Sequence, residues 1–276
     1  MNQQPNVQDF KDKVAVVTGG SRGVGFATAR ELAARGAKVV ISARGEERLK
    51  DSERKLKEQG AEVIALAGDV GRWEHARDLV RAAIDGFGRL DIAVNNAGVS
   101  MRGDFKDLSP DVLQQVIQTN LLGSVYVTRA AIEHLIQNKG SVVFISSIAG
   151  LFGLPGASVY CAGKQALRGL AESLRIELAD SGVHVGVVYL GFTEHDPQKR
   201  ILAADGQLVP PDRPAHHTQA YAAELIAEML QKRKRQLIMT PAGTAGWLAH
   251  RLSSALLEKA IIAAKRGQWG IYKRFS

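Results

Sequence analysis

Cysteine is almost missing from this chain. Cys161 is the only one in 276 residues, so no disulfide can form within the chain, and a reducing compartment is the expected setting. Long apolar runs are missing too: none approaches the ~18 residues that a membrane-crossing helix needs. The first ten residues, Met1 to Phe10, are polar, which gives no secretory signal and makes the cytoplasm the expected location. Seven histidines occur without any metal-ligand spacing, so no metal is expected. Acidic residues nearly vanish after position 230: residues 231–276 hold ten Lys and Arg against Glu258 alone, a net of +9. Residues 1–230 carry 26 basic and 27 acidic side chains, so the whole excess of +8 sits in the tail. That distribution gives the body no nucleic-acid footprint.

What remains is an ordinary globular composition, 45% apolar and 23% charged, long enough for one sizeable α/β domain. Apolar runs lie at Val14–Thr18, Val39–Ala43, Val63–Ala67, Asp91–Asn95, Val142–Ser146, Val183–Leu190 and Gln236–Thr240. Helical patterns alternate with them near 24–35, 46–58, 73–86, 111–137, 162–180 and 218–231. Most of the runs are rich in Val, Ile and Ala without polar alternation, as strands covered on both faces are. The alternation predicts a Rossmann-type, doubly wound parallel sheet of about seven strands with helices on both faces. Residues 1–243 are expected to form this domain, and 244–276 a basic C-terminal helical extension. One long irregular stretch, Gly191 to His217, holds Pro197, Pro210, Pro211 and Pro214 and is expected to be a lid or substrate loop.

The stretch Lys13–Arg44 reads strand, glycine-rich turn, helix, strand. The turn is Gly19-Gly20-Ser21-Arg22-Gly23-Val24-Gly25. Gly19, Gly23 and Gly25 permit a sharp bend and close approach to a pyrophosphate, whose charge the following helix N-terminus would stabilise. Ordinary strand-to-helix turns also use glycine; its position in a βαβ unit favours a dinucleotide. The second strand ends Ser42-Ala43-Arg44, where an NAD site would place a carboxylate on the ribose 2′-hydroxyl. Arg44 instead offers a planar donor fork to a 2′-phosphate, and Arg22 could reach the same group. NADP(H) is therefore the expected cofactor.

Tyr160 and Lys164, four residues apart, project from one face of a helix. An isolated tyrosine ionises near ~10, too high for a base at neutral pH. A neighbouring ammonium favours the phenolate, so Tyr160 could give a proton to a carbonyl oxygen or take one from an alcohol. Ser147, at a strand end, could hydrogen-bond the same oxygen. Taken alone, a Tyr-x-x-x-Lys pair is common on solvated helices.

The combination resembles the short-chain dehydrogenase/reductase family. The matching elements are Thr18-Gly19-x-x-x-Gly23-x-Gly25, Asp69, Asn95-Asn96-Ala97-Gly98, Asn120, Ser147 and Tyr160-x-x-x-Lys164, in the family's order. They extend from about residue 13 to 190. The resemblance implies NAD(P)-linked carbonyl/alcohol chemistry at a Ser147/Tyr160/Lys164 centre, with Asn120 helping to hold a water beside Lys164. It also implies that Lys164 binds the nicotinamide ribose, that Asp69 and Val70 lie by the adenine, and that Asn96, Ala97 and Gly98 line the cleft. Thr18, Ser21 and Val24 join Gly19, Gly23 and Gly25 as cofactor contacts. After the sixth strand the family usually has Pro-Gly and then a threonine that meets the nicotinamide amide. This chain departs from that with Leu190-Gly191-Phe192-Thr193, which makes Gly191 and Thr193 the candidate contacts.

Other features carry less. Cys161 has no adjacent base and is expected to pack; His216 and His217 are expected to be solvated. Val99, Phe152, Leu154 and Phe192 are candidates for an apolar substrate wall. In the tail, Trp247, Leu248, Leu252, Leu256 and Ile261 fall near helical spacing, interleaved with Arg251, Lys259, Lys265 and Arg266. That helix could lie on an anionic membrane, on the body, or on a second subunit. The expected partners are a small carbonyl or alcohol substrate, a lipophilic one if the tail meets a membrane, and further copies of the chain in a dimer or tetramer. Two alternatives stay open: a 3-oxoacyl-carrier-protein reductase, and an NADP(H)-binding regulator without turnover.

Overall fold

The computed structural model describes residues 9–194, 196, 198–212 and 216–267. Pro197, Pro214 and the last part of the expected extension, 268–276, lie outside the described residues. The branched apolar runs become β1 (Val14–Thr18), β2 (Lys38–Ala43), β3 (Val63–Ala67), β4 (Ile92–Asn95), β5 (Ser141–Ser147) and β6 (His184–Leu190). Two-residue strands β7 (Ile201–Leu202) and β8 (Leu208–Val209) form a separate antiparallel pair, and β9 (Gln236–Ile238) completes the main sheet. The seven main strands are parallel, in the order β3-β2-β1-β4-β5-β6-β9.

Nine α-helices occur among the described residues: α1 (Gly23–Ala34), α2 (Glu46–Glu58), α3 (Trp73–Phe87), α4 (Pro110–Ile117), α5 (Gly123–Gln137), α6 (Ser158–Glu177), α7 (Gln219–Gln231), α8 (Pro241–Leu252) and α9 (Ser254–Arg266). One core packs Leu79, Val127 and Leu167 from α3, α5 and α6 against Val16, Phe144 and Val187. The other packs Leu32, Leu49 and Ile226 from α1, α2 and α7 against Val17, Val143 and Val188. Alternate residues of each strand thus face opposite layers, which is why the strands read as unbroken apolar runs. The strand order reverses between β1 and β4, and a crevice opens at their carboxyl ends.

Several sequence expectations need correction. The single helix expected over 111–137 is interrupted by a π-helical turn, Gln118–Leu122, between α4 and α5. The loop Gly191–His217 is not structureless: it contains the β7–β8 pair, and Leu202 pairs with Met101 and shares its burial with Val112 and Val116. The last strand stops at Ile238, because Thr240 leaves the sheet to cap α8, its Oγ1 accepting from Gly243 N at 3.0 Å. The tail is not one helix: Ser253 breaks it and caps α9, accepting from Leu256 N at 3.3 Å. His217 is half-buried rather than solvated, bridging Thr193 and stacking on Tyr221 at 5.7 Å. No helix among the described residues is long and apolar enough to cross a membrane.

Candidate active site

The crevice at the carboxyl end of the sheet is a cleft of about 1000 Å³. Every candidate cofactor residue named above except Thr18 lines it, and so does every candidate catalytic residue except Asn120. Those two are buried. Thr18, at the end of β1, is buried and accepts from Asn96 N and Ala97 N, each at 3.0 Å. Asn96 Nδ2 donates back to Thr18 O at 2.8 Å, so the glycine turn is clamped to the end of β4. Gly19 and Gly23 hold φ of +68° and +61°, a left-handed backbone that β-carbons disfavour. At Gly25 a Cβ would overlap Gly19 O and Asn96 Nδ2. The bare backbone therefore forms a cradle at the start of α1, whose free N–H groups suit a pyrophosphate.

One end of the cleft is strongly basic. Burial is the main influence lowering the pKa of Arg22, and Arg48, Arg44 and Arg200 lower it further while Asp196 opposes them. Three further guanidiniums are thus close enough to act on Arg22, with the Asp196 carboxylate opposing them. Arg48 Nη2 also donates to Gln198 Oε1 at 2.6 Å, joining α2 to the loop after β6. Beside them, Asp69 accepts from Gly71 N at 2.9 Å and forms a tight turn that carries buried Val70 along the rim.

The other end holds the catalytic candidates. Ser147 closes β5, its Oγ accepting from Ala149 N at 3.3 Å. Because α6 begins at Ser158, four residues earlier than its sequence pattern predicts, Tyr160 lies in its first turn and Lys164 one turn on. Ser146 Oγ donates to Lys164 O at 2.9 Å, and Lys164 Nζ donates to Ile145 O at 2.8 Å, so β5 holds this helix by two bonds. The ammonium nitrogen is 6.0 Å from the Tyr160 ring centroid. Burial, seconded by the charge of Lys199, lowers the Lys164 pKa from 10.5 to about 8.

Asn120 sits in the π-helical turn, fully buried, although its polarity alone would place it in solvent. Its Oδ1 accepts from Val99 N at 2.8 Å and its Nδ2 donates to Val99 O at 2.9 Å. A Cβ on Gly98 would stand 3.0 Å from Asn120 Oδ1 and 3.4 Å from Lys164 Nζ, so the two side chains flank one glycine. The π turn displaces Asn120 towards that point, a distortion common at functional sites.

Gly191 and Thr193 line the cleft, with Thr193 buried and paired to His217. Of the apolar wall candidates, Val99 and Phe192 line it; Phe152 and Leu154 do not. Phe152 packs instead against Gly246 of α8, and Leu154 joins a small cluster with Cys161. Cys161 is buried, and burial raises its thiol pKa. Sequence reasoning missed Arg48, Arg200, Ser100 and Arg102, all on the cleft wall. The spacing of four between Arg44 and Arg48 was the only signal for any of them.

Residues 13–205 match the family profile described as short chain dehydrogenase. The chain belongs to that family, the short-chain dehydrogenases/reductases, and so to the oxidoreductases. A relative from Bacillus subtilis (strain 168), the uncharacterized oxidoreductase YxnA, is 34% identical over 280 residues, covering 95% of this chain and 76% of its own length. The 11-beta-hydroxysteroid dehydrogenase-like 4A of Arabidopsis thaliana is 39% identical over 198 residues, 71% of this chain and 66% of the plant protein. Among solved structures, a short chain dehydrogenase/reductase from Burkholderia phymatum in complex with NAD is 28% identical, with a TM-score of 0.81 over 90% of this chain and 96% of that one. A metagenomic short-chain oxidoreductase in complex with NADP is 29% identical, with a TM-score of 0.71 over 85% of this chain and 99% of that one. Relatives of similar likeness carry different dinucleotides, so the choice here is read from this chain's own residues.

Proposed function

We propose that the protein is an NADP(H)-dependent oxidoreductase that interconverts a ketone or aldehyde and its alcohol, with Tyr160 as general acid and base. One observation carries the reading: Ser147, Tyr160 and Lys164 share a cleft whose far end gathers four arginines. A 2′-phosphate brings close to two negative charges to such a site, and the planar forks of Arg22, Arg44 and Arg48 suit its oxygens. The glycine cradle fits the pyrophosphate between the two ends.

When bound, the reduced dinucleotide would supply a hydride, one proton with two electrons, to the carbonyl carbon. Ser147 and Tyr160 hold the carbonyl oxygen by hydrogen bonds, and those bonds strengthen as negative charge develops there. Tyr160 then passes its phenol proton to that oxygen, completing the alcohol. The Lys164 ammonium favours the negative charge left on the phenol oxygen. Alcohol oxidation is the reverse, with the Tyr160 phenolate as base. Asn120 fixes Val99 and the floor beneath Lys164.

Val99, Phe192, Ile201, Leu202, Leu208 and Val209 give the substrate end apolar walls, which suit a substrate with an apolar body. A hydroxysteroid, the compound class in the plant relative's name, is of that kind. Residues 1–243 form the catalytic domain in this reading, working as a homo-oligomer. The extension from 244 anchors through Gly246 on Phe152 and through Trp247 on the core, and docks on anionic membranes. Leu252 and Leu256, 88% and 66% exposed beside Arg251 and Lys259, support that contact. Deleting residues beyond 243 should abolish co-sedimentation with anionic vesicles; unchanged sedimentation refutes the membrane role. The test of the function is a panel of ketones, aldehydes and alcohols, followed by NADPH absorbance with NADH in parallel. Turnover with NADPH preferred is expected, and no turnover with either dinucleotide across a broad panel would overturn the proposal.

A further inference from the structure

Arg102 stands on the substrate side of the cleft and has no part in the chemistry described so far. Its position is built rather than incidental. Its backbone N–H donates to Leu202 O at 2.9 Å, and Leu202 N donates to Ser100 O at 3.0 Å, so Met101 forms a parallel bridge to Leu202 of β7. Gly103 N donates to Gly156 O at 3.0 Å, tying the next residue to the loop that leads into α6. The side chain is half-buried and folds back, Nη1 donating to Met101 O at 3.0 Å. Tyr160, the proposed acid and base, and Cys161 are among the groups whose charge reaches its guanidinium. Lys199, a second cation of the same wall, is near enough to act on Lys164. A guanidinium held in a partly apolar cleft is stabilised by an anionic oxygen, most of all by a carboxylate that takes two of its N–H donors.

We infer that Arg102 is an anion-binding residue for the substrate, and that the preferred substrates are oxo acids, or the matching hydroxy acids, with an apolar body. The carboxylate lies within two carbons of the reacting carbonyl, where it meets Arg102 while the carbonyl oxygen meets Tyr160 and Ser147. The inference rests on the carbonyl/alcohol reading above and narrows its substrate class.

The test compares benzoylformate and benzoylacetate with acetophenone, which keeps the aryl ketone and lacks the carboxylate. Wild type, Arg102→Leu and Arg102→Lys are assayed with NADPH, each variant first checked for an unchanged melting temperature. At least one acid should be favoured over acetophenone, and Arg102→Leu should raise its KM by about 10- to 100-fold with kcat little changed. Arg102→Lys should recover part of that loss, and acetophenone turnover should be unaltered in all three proteins. Two results overturn the inference: neither acid favoured, or equal losses for acids and acetophenone with a shifted pH profile. The second would mean that Arg102 acts on Tyr160 rather than on substrate. If all three ketones are inert while the broader panel finds turnover elsewhere, the inference fails alone; no turnover across that panel overturns the parent carbonyl/alcohol reading instead. Should Arg102→Leu not fold, Arg102→Lys still decides, since a point charge without the planar fork should weaken the acids selectively.

Discussion

Replacing Lys164 by methionine should make the cofactor-free protein more stable and inactive at once. The side chain is buried, and burial is the first cause that takes its pKa from 10.5 to about 8. At about 1.4 kcal/mol for each pH unit, that displacement makes the buried ammonium unfavourable by about 3 kcal/mol below the folded value. Methionine removes the charge but also the bond from Nζ to Ile145 O, whose loss costs about 1 kcal/mol. The net expectation is a gain of about 2 kcal/mol at about pH 6. The sign of the pH dependence follows from linkage. The folded value lies below the unfolded one, so between about 8 and 10.5 the unfolded chain keeps a proton that the folded chain has released. Wild-type stability therefore climbs with pH across that window, and the variant lacks this increment. Urea unfolding of both proteins at about pH 6 and about pH 10 measures it, since groups common to both cancel in the difference. The gap should close or change sign at the higher pH. A variant less stable than wild type at the lower pH, or a gap independent of pH, would refute this account of the buried amine.

Arg44→Asp should narrow or reverse the preference for NADPH over NADH, with a loss of about 10- to 100-fold in the ratio of kcat/KM values. An unchanged ratio would contradict the 2′-phosphate assignment. Gly25→Ala should lower stability by about 1–3 kcal/mol and abolish dinucleotide binding, because its Cβ overlaps Gly19 O and Asn96 Nδ2; melting temperature and fluorescence titration check both. Asn120→Ala removes both side-chain bonds to Val99 and should destabilise by about 1–3 kcal/mol, with turnover falling more than NADPH affinity. Equal loss of both would make Asn120 a purely structural residue.

The parallel sheet was legible because each strand is covered on both faces, so its sequence reads as an uninterrupted apolar run. The glycine turn, Ser147, Tyr160 and Lys164 were legible because their spacing is local or follows strand ends. The π turn at Gln118–Leu122 was not, since the apolar periodicity of 110–137 carries through it and only tertiary contacts reveal the extra residue. Two-residue strands such as β7 and β8 are too short to show any periodicity. Arg200 joins the arginine cluster from the loop after β6, 156 residues beyond Arg44, a convergence that no local pattern records. Phe152 misled for a related reason: its position after a strand end suggested the cleft, but Gly246 of the tail lies against its ring.

The account stands on Tyr160 as the group that moves the proton. Tyr160→Phe keeps the ring and removes only the hydroxyl, so NADPH titrated into wild type and variant should give matching affinities. Steady-state reduction of the best ketone by the same two preparations should then differ by about 10²- to 10⁴-fold. A variant that still turns over within about tenfold of wild type would contradict the proposed role of that hydroxyl.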